Sequence, residues 1–156
     1  MPKPVIKTID VKCTPETAFR IFTDDINTWW PLDRHSVSAN DHKATARSIE
    51  LEQKTGGAIT EIGHDGTRYS WGSVKTWAPF SQLTLNWHIN RPPTNATMVD
   101  VKFEPIDAGT RVTLTHSNWE VLGDTAQAMR DGYDQGWVHV FETCFGGACA
   151  KQKTSA

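Results

Sequence analysis

Two side chains of this protein have the chemistry to move protons if folding brings them together, Glu61 and His116. Glu61 follows the pair Gly56-Gly57 on a short run, Ala58-Ile59-Thr60-Glu61, and in an extended chain it points the same way as Ile59. If Ile59 faces the core, the carboxyl goes in with it. A buried carboxyl without a partner has a raised pKa and serves as a general acid, a general base or a hydrogen-bond partner for a ligand. The same position is also explained by a structural ion pair or hydrogen bond with a sheet neighbour such as Arg47. His116 stands two residues beyond Leu114 on the apolar side of its strand. Its imidazole either faces an interior space, making an acid–base pair with Glu61, or is a satisfied core or rim residue.

Around these two stand aromatic residues that could wall a pocket: Tyr69, Trp71, Trp87, Tyr133 and Trp137. The chain has seven tryptophans, and an indole is large, stiff and carries one N–H in need of a partner. Tyr133 and Trp137 are one helical turn apart. Trp71 and Trp87 fall on strands that should be neighbours. Apolar walls with a few placed polar groups are the usual small-ligand site, and filling of a solid core is the competing account.

Other chemistries find little in the sequence. The six histidines, His35, His42, His64, His88, His116 and His139, show no His-x-x-x-His spacing, so no metal site is expected. No phosphate loop, nucleophile elbow or dinucleotide fingerprint is present, and no cofactor is expected. Sixteen basic and eighteen acidic side chains nearly balance with no basic cluster, which argues against nucleic acid as a partner. The first residues lack the apolar run of a signal peptide, and no stretch is long and apolar enough for a membrane span, so a cytoplasmic protein is expected. Cys13, Cys144 and Cys149 leave an odd cysteine and no Cys-x-x-Cys pair, and are read as reduced thiols.

The elements that must position these residues are legible from periodicity. Pro4 to Lys12 alternates with period two, as a strand does. Thr14-Pro15-Glu16 reads as a helix start, with a capping hydroxyl, a proline that has no N–H to lose and an acid at the positive end of the dipole. Ile26 to Trp30 reads as a second short helix ended by Pro31, and residues 33 to 43 as a polar surface loop. Six more strands are expected at Thr45–Glu52, Ala58–Gly63, Thr67–Trp77, Gln82–Ile89, Thr97–Pro105 and Thr110–Trp119, nearly all separated by turn residues. The last element is one long helix, capped by Asp124 or Thr125, with Ala126, Met129, Tyr133, Trp137, Val140, Phe141, Cys144 and Ala148 on one stripe. Gly132 and Gly136 lie inside it, each costing about 1 kcal/mol relative to alanine. Such glycines mark close backbone approach or open space beside the helix. An amphipathic helix and a half-apolar antiparallel sheet must bury their faces together, which predicts an α+β two-layer domain.

The ordered series Gly56-Gly57, the lone Glu61, Trp71-Gly72-Ser73-Val74, the turn at Pro79 and Leu83-Thr84-Leu85-Asn86-Trp87 resembles the β-meander of the AHSA-type proteins. These are homologues of an activator of the Hsp-class chaperone ATPase, within the START-like (SRPBCC) superfamily. The resemblance covers nearly the whole chain and implies a helix-grip fold, a curved sheet around the C-terminal helix, as one domain over residues 1–150 with a frayed tail at 151–156. It implies a cavity between sheet and helix that binds a small hydrophobic or amphipathic molecule, with Glu61, Tyr69, Trp71, Trp87, His116, Tyr133 and Trp137 as the candidate lining. A second implied function is an aromatase/cyclase-like enzyme using Glu61 or His116. A third is chaperone ATPase activation through a protein surface, which in the eukaryotic proteins usually comes with a further domain for which this chain has no room. A homodimer is compatible with all three.

Overall fold

A computed structural model describes residues 2–153, with the side chains of Gln152 and Lys153 excluded. Seven strands, β1 (Val5–Val11), β2 (Ser48–Leu51), β3 (Ala58–Ile62), β4 (Arg68–Ala78), β5 (Gln82–Trp87), β6 (Thr97–Ile106) and β7 (Gly109–Ser117), form one antiparallel sheet in the order β1-β7-β6-β5-β4-β3-β2. Only the β1–β7 pairing joins strands distant in sequence, and it sets Val5 opposite His116. The remainder is a meander, as the closely spaced turn residues predict. Register shifts at Ile59/Thr60 and at Val74/Thr76 interrupt the ladders of β4 and add local bend and twist to the sheet.

Alternation sets the faces. Val99, Val101 and Phe103 of β6 and Val112, Leu114 and His116 of β7 are buried on one side, while Lys102, Glu104 and Arg111 are exposed on the other. Helices α1 (Pro15–Thr23) and α2 (Ile26–Trp29) lie on the apolar side. Thr14 caps α1 as expected, its hydroxyl accepting from Thr17 N at 3.2 Å. Phe19 meets Phe103 at 5.2 Å, and Phe22 meets Phe145 of the C-terminal helix at 5.1 Å, so three layers of aromatics lock together edge to face.

Two stretches differ from expectation. Residues 33–43 are not a plain surface loop: they hold a short helix, α3 (Val37–His42), whose first turn is buried at Ser36, Val37 and Ser38. Its inner side is fastened by hydrogen bonds rather than by an apolar stripe, so hydrophobic periodicity carried no sign of it. The C-terminal helix is also not uniform. A 3-10 segment (Trp119–Thr125) leads into α4 (Ala126–Trp137), a π-helical stretch (Val138–Phe145) and α5 (Gly146–Lys153). Thr125 occupies the cap position of α4 but makes no capping bond, its hydroxyl donating to Leu122 O instead. The wider π turn advances the buried face, so Phe145 and Cys149 are fully buried, while Cys144 and Ala148 are only partly so. Of the tail expected at 151–156, residues 151–153 belong to α5, and residues 154–156 lie outside the described residues.

Candidate ligand-binding site

Glu61 sits on β3 with no exposed surface, and four donors converge on its carboxylate. Oε1 accepts from Val37 N at 2.7 Å and from Trp71 Nε1 at 2.9 Å; Oε2 accepts from Ser38 N at 3.0 Å and Ser38 Oγ at 2.8 Å. Three of these donors belong to the first turn of α3, where unpaired N–H groups and the helix dipole both favour a negative charge. Arg47 is not the partner; its backbone pairs with Ile62 O. Its oxygens are engaged and it has no exposed surface, and these bonds tie β3 to the start of α3.

His116 is equally saturated. Trp137 Nε1 donates to its Nδ1 at 3.0 Å, and Nε2 lies 2.7 Å from Thr97 Oγ1. An indole N–H can only donate, so Nδ1 is the bare nitrogen and Nε2 carries the hydrogen. Thr97 accepts that hydrogen and passes its own to Trp87 O at 3.2 Å. Burial, with the positive charge of Arg91 adding to it, pushes the pKa of His116 down to about 3. The ring is thus neutral at ordinary pH, with both nitrogens engaged. Glu61 and His116 share no hydrogen bond. The ring contacts Trp71–Trp87 at 5.7 Å and Trp87–Trp137 at 6.0 Å run from the side that holds Glu61 to the side that holds His116. In the structure the two side chains expected to form an acid–base pair belong to separate hydrogen-bond networks.

The space between helix and sheet is mostly filled. Trp71 is fully buried, and the void lined by it, Phe22, Ile59 and Leu85 measures about 10 Å³, room for roughly one water at most. A real cavity of about 320 Å³ opens at one end of this layer, between α4, α3 and the end of β5. That volume is at the small end of ligand pockets, roughly 300–1,000 Å³. Its apolar walls are Trp30, Trp87, Met129, Trp137 and Val140, with Ser36, Asn40, Asn90 and Tyr133 adding polar atoms. Both helical glycines face it. A Cβ built on Gly132 meets nothing within 4 Å, and one on Gly136 meets only His35 Cε1 at 3.8 Å, so the open-space reading of these glycines holds.

At the inner wall Trp87 Nε1 donates to Tyr133 Oη at 3.2 Å. Arg91, on the turn after β5, approaches the same phenol, and its guanidinium also donates to Asn95 O and Trp87 O, each at 3.0 Å. Burial raises the Tyr133 pKa, with Trp87 and Arg91 pulling the other way, and burial lowers that of Arg91. The phenol thus stays protonated at neutral pH.

Of the seven residues singled out from sequence, the structure brings Trp87, Tyr133 and Trp137 to the cavity and keeps Trp71, Glu61 and His116 behind it as fully buried supports. Tyr69 is elsewhere: its hydroxyl lies 3.4 Å from His42 Nε2, over the far end of α3. Sequence reasoning missed Trp30, Asn40, Met129 and Arg91 as site residues. Trp30 and Met129 carry no signal beyond apolar periodicity, and Arg91 reads as part of a Pro-Pro turn. Among the described residues no three His, Cys, Asp or Glu side chains gather to hold a metal ion, and no helix is long and apolar enough to cross a membrane.

The sequence pattern of the family described as "Activator of Hsp90 ATPase homolog 1-like protein" matches residues 12–145. The chain belongs to this family. As an activator-of-Hsp90-ATPase-homolog-1-like protein it shares its fold with several solved structures. A Staphylococcus saprophyticus protein is 18% identical, with 92% of this chain and 89% of that one covered at a TM-score of 0.64. The Aha1 dimer of Colwellia psychrerythraea is 19% identical, with 92% and 98% covered at a TM-score of 0.60. An anthrahydroquino-γ-pyrone synthase, Txn09, solved in complex with a molecule designated SUM, is 29% identical, with 86% and 88% covered at a TM-score of 0.59. No curated protein sequence matches the chain.

Proposed function

We propose that this protein binds a small, flat, largely apolar molecule in the cavity between α4, α3 and the end of β5. The observation that carries this reading is the pair Gly132 and Gly136, which keep a helix wall bare beside about 320 Å³ of space at a cost of about 1 kcal/mol each. A solid core would be better served by alanine there. Three tryptophans on the walls, Trp30, Trp87 and Trp137, offer faces for an aromatic ligand. The 29% identity to a synthase named for an anthrahydroquino-γ-pyrone supports oxygenated polycyclic aromatics as the ligand class.

A ligand that binds only the folded chain raises its stability, by about 2.7 kcal/mol at a hundredfold excess over Kd. Naphthalene, flavone, anthraquinone-2-sulfonate and lauric acid, tested by thermal shift and by quenching of tryptophan fluorescence, sample the relevant shapes. The flat aromatics are expected to bind, and Gly132→Leu, which fills the cavity from the helix side, to abolish binding without unfolding the protein. No response to any compound, or equal response in the plugged variant, would overturn the reading.

A second reading, a cyclase-like enzyme, is supported by the same 29% identity. Its acid–base work would fall to Tyr133 at the cavity wall, since Glu61 and His116 are sealed behind it. Incubation with a poly-β-ketone chain, followed by detection of ring-closed products that disappear in Tyr133→Phe, distinguishes it from simple binding. We place the protein in the cytoplasm, where free thiols such as Cys13, Cys144 and Cys149 persist. The Aha1 dimer from Colwellia psychrerythraea supports a homodimer, testable by sedimentation.

A further inference from the structure

The polar corner of the cavity is built around one oxygen, Tyr133 Oη. Trp87 Nε1 donates to it at 3.2 Å, and the positive charge of the Arg91 guanidinium acts on it. Both neighbours are donors only, since neither an indole nor a guanidinium has an acceptor. A lone pair of the phenol is therefore turned toward Trp87, while its own hydrogen makes no hydrogen bond among the described residues. Tyr133 is one of the residues that line the cavity.

Arg91 adds a second asymmetry. Its partners are neutral oxygens, Asn95 O, Trp87 O and, at 3.5 Å, Thr97 Oγ1; its Nε is buried without a partner, and no carboxylate lies within ion-pair distance among the described residues. A half-buried cation without a counter-charge makes negative charge nearby favourable. Donation into Oη also polarises the O–H bond and strengthens its onward donation. Ser36 Oγ, also on the cavity wall, is already used, donating to Leu32 O and accepting from Ala39 N.

Resting on the cavity reading above, we infer that Tyr133 Oη is the specificity-determining donor of the site. It takes the carbonyl or enolate oxygen of a flat aromatic ketone, with the charge of Arg91 behind it favouring electron density on that oxygen. The ring system lies along the tryptophan wall, and the oxygen sets which end goes in. A hydrocarbon of the same shape fills the same space but leaves the phenol hydrogen unpaired.

Xanthone and xanthene form the test pair: the same three rings, with a carbonyl in one and a methylene in the other. Calorimetric titration of the wild-type protein is expected to show xanthone binding about tenfold more tightly, the scale of one buried hydrogen bond. Tyr133→Phe is expected to abolish that preference while leaving xanthene affinity within about twofold, which also verifies that the variant folds. Arg91→Gln is expected to reduce the preference. The infrared carbonyl stretch of bound xanthone should lie at lower frequency in the wild type than in Tyr133→Phe. Equal affinities in the wild type, a preference that survives Tyr133→Phe, or an unshifted carbonyl stretch would each overturn the donor role while sparing the cavity. Failure of both compounds to bind would overturn the cavity reading and this inference with it.

Discussion

Trp137 Nε1 on the C-terminal helix donates to His116 Nδ1 on the last strand across 3.0 Å, and both groups are buried. This bond ties the two layers of the fold together and decides the tautomer of the histidine. Beyond it lie Thr97 and the carbonyl of Trp87, so one chain of hydrogen bonds links α4, β7, β6 and β5 immediately behind the cavity wall. The Trp137, His116 and Thr97 side chains in this chain all have hydrogen-bond partners.

His116 makes the protein acid-sensitive. Its pKa is about 3 when folded, against about 6.5 for an unperturbed histidine. Above pH 6.5 the ring is neutral in both states and contributes no pH dependence. Below it the unfolded chain takes up a proton that the folded chain refuses, so stability falls with pH, by about 2 kcal/mol at pH 5 from this group. Urea midpoints measured at pH 7.5 and pH 5 should show a smaller drop for His116→Gln than for the wild type. A ring that titrates near 6.5 by NMR in the folded protein would contradict this.

Glu61→Gln places an amide NH2 against donors. At least one of Val37 N, Ser38 N, Ser38 Oγ and Trp71 Nε1 then loses its acceptor inside the core. The expected loss of stability is about 3 kcal/mol, the scale of breaking a buried charged contact. Amide exchange at Val37 and Ser38 should accelerate more than exchange in β6, because α3 loses its anchor. Unchanged exchange at those two amides would show that the carboxylate does not hold the helix.

Gly132→Ala separates folding from binding. The new methyl meets open space, so the helix should gain about 1 kcal/mol, or a rise in Tm of about 2–4 °C. The same methyl occupies part of the cavity, so flat aromatic ligands should bind more weakly. Gly72→Ala is the contrast: its Cβ would collide with the carbonyl oxygen of Asn86 across the sheet, and the protein should be strongly destabilised. A Tm that falls in Gly132→Ala would mean that the glycine serves packing after all.

The three thiols should differ in reactivity. Cys149 has no exposed surface, and burial together with the neighbouring Cys13 raises its pKa, so thiolate is scarce and access is closed. Cys13 and Cys144 are partly exposed and should label first with a thiol-specific disulfide reagent in the folded state. Denaturation without reductant should release all three. Early labelling of Cys149 would show that α5 opens readily from β1.

The strand count, helix α1 and the faces of β6 and β7 were determined by the sequence itself, because period-two and helical patterns, a capping Thr14 and turn residues act over a few positions. The helical glycines were legible for the same reason: an unfavourable local choice marks a use elsewhere. What only the tertiary structure decided is which groups meet. The donors on Glu61 come from 10 to 24 residues away, and those facing His116 from 19 and 21. A pattern of apolar positions shows that a side chain points inward but not what it finds there. Whether a buried carboxylate or imidazole is reactive depends on how many partners reach it, and that is a property of packed geometry. α3 and the π turn were hidden likewise, one held by hydrogen bonds to a distant carboxylate, the other by the aromatic packing of Phe145 against Phe22 and Trp29.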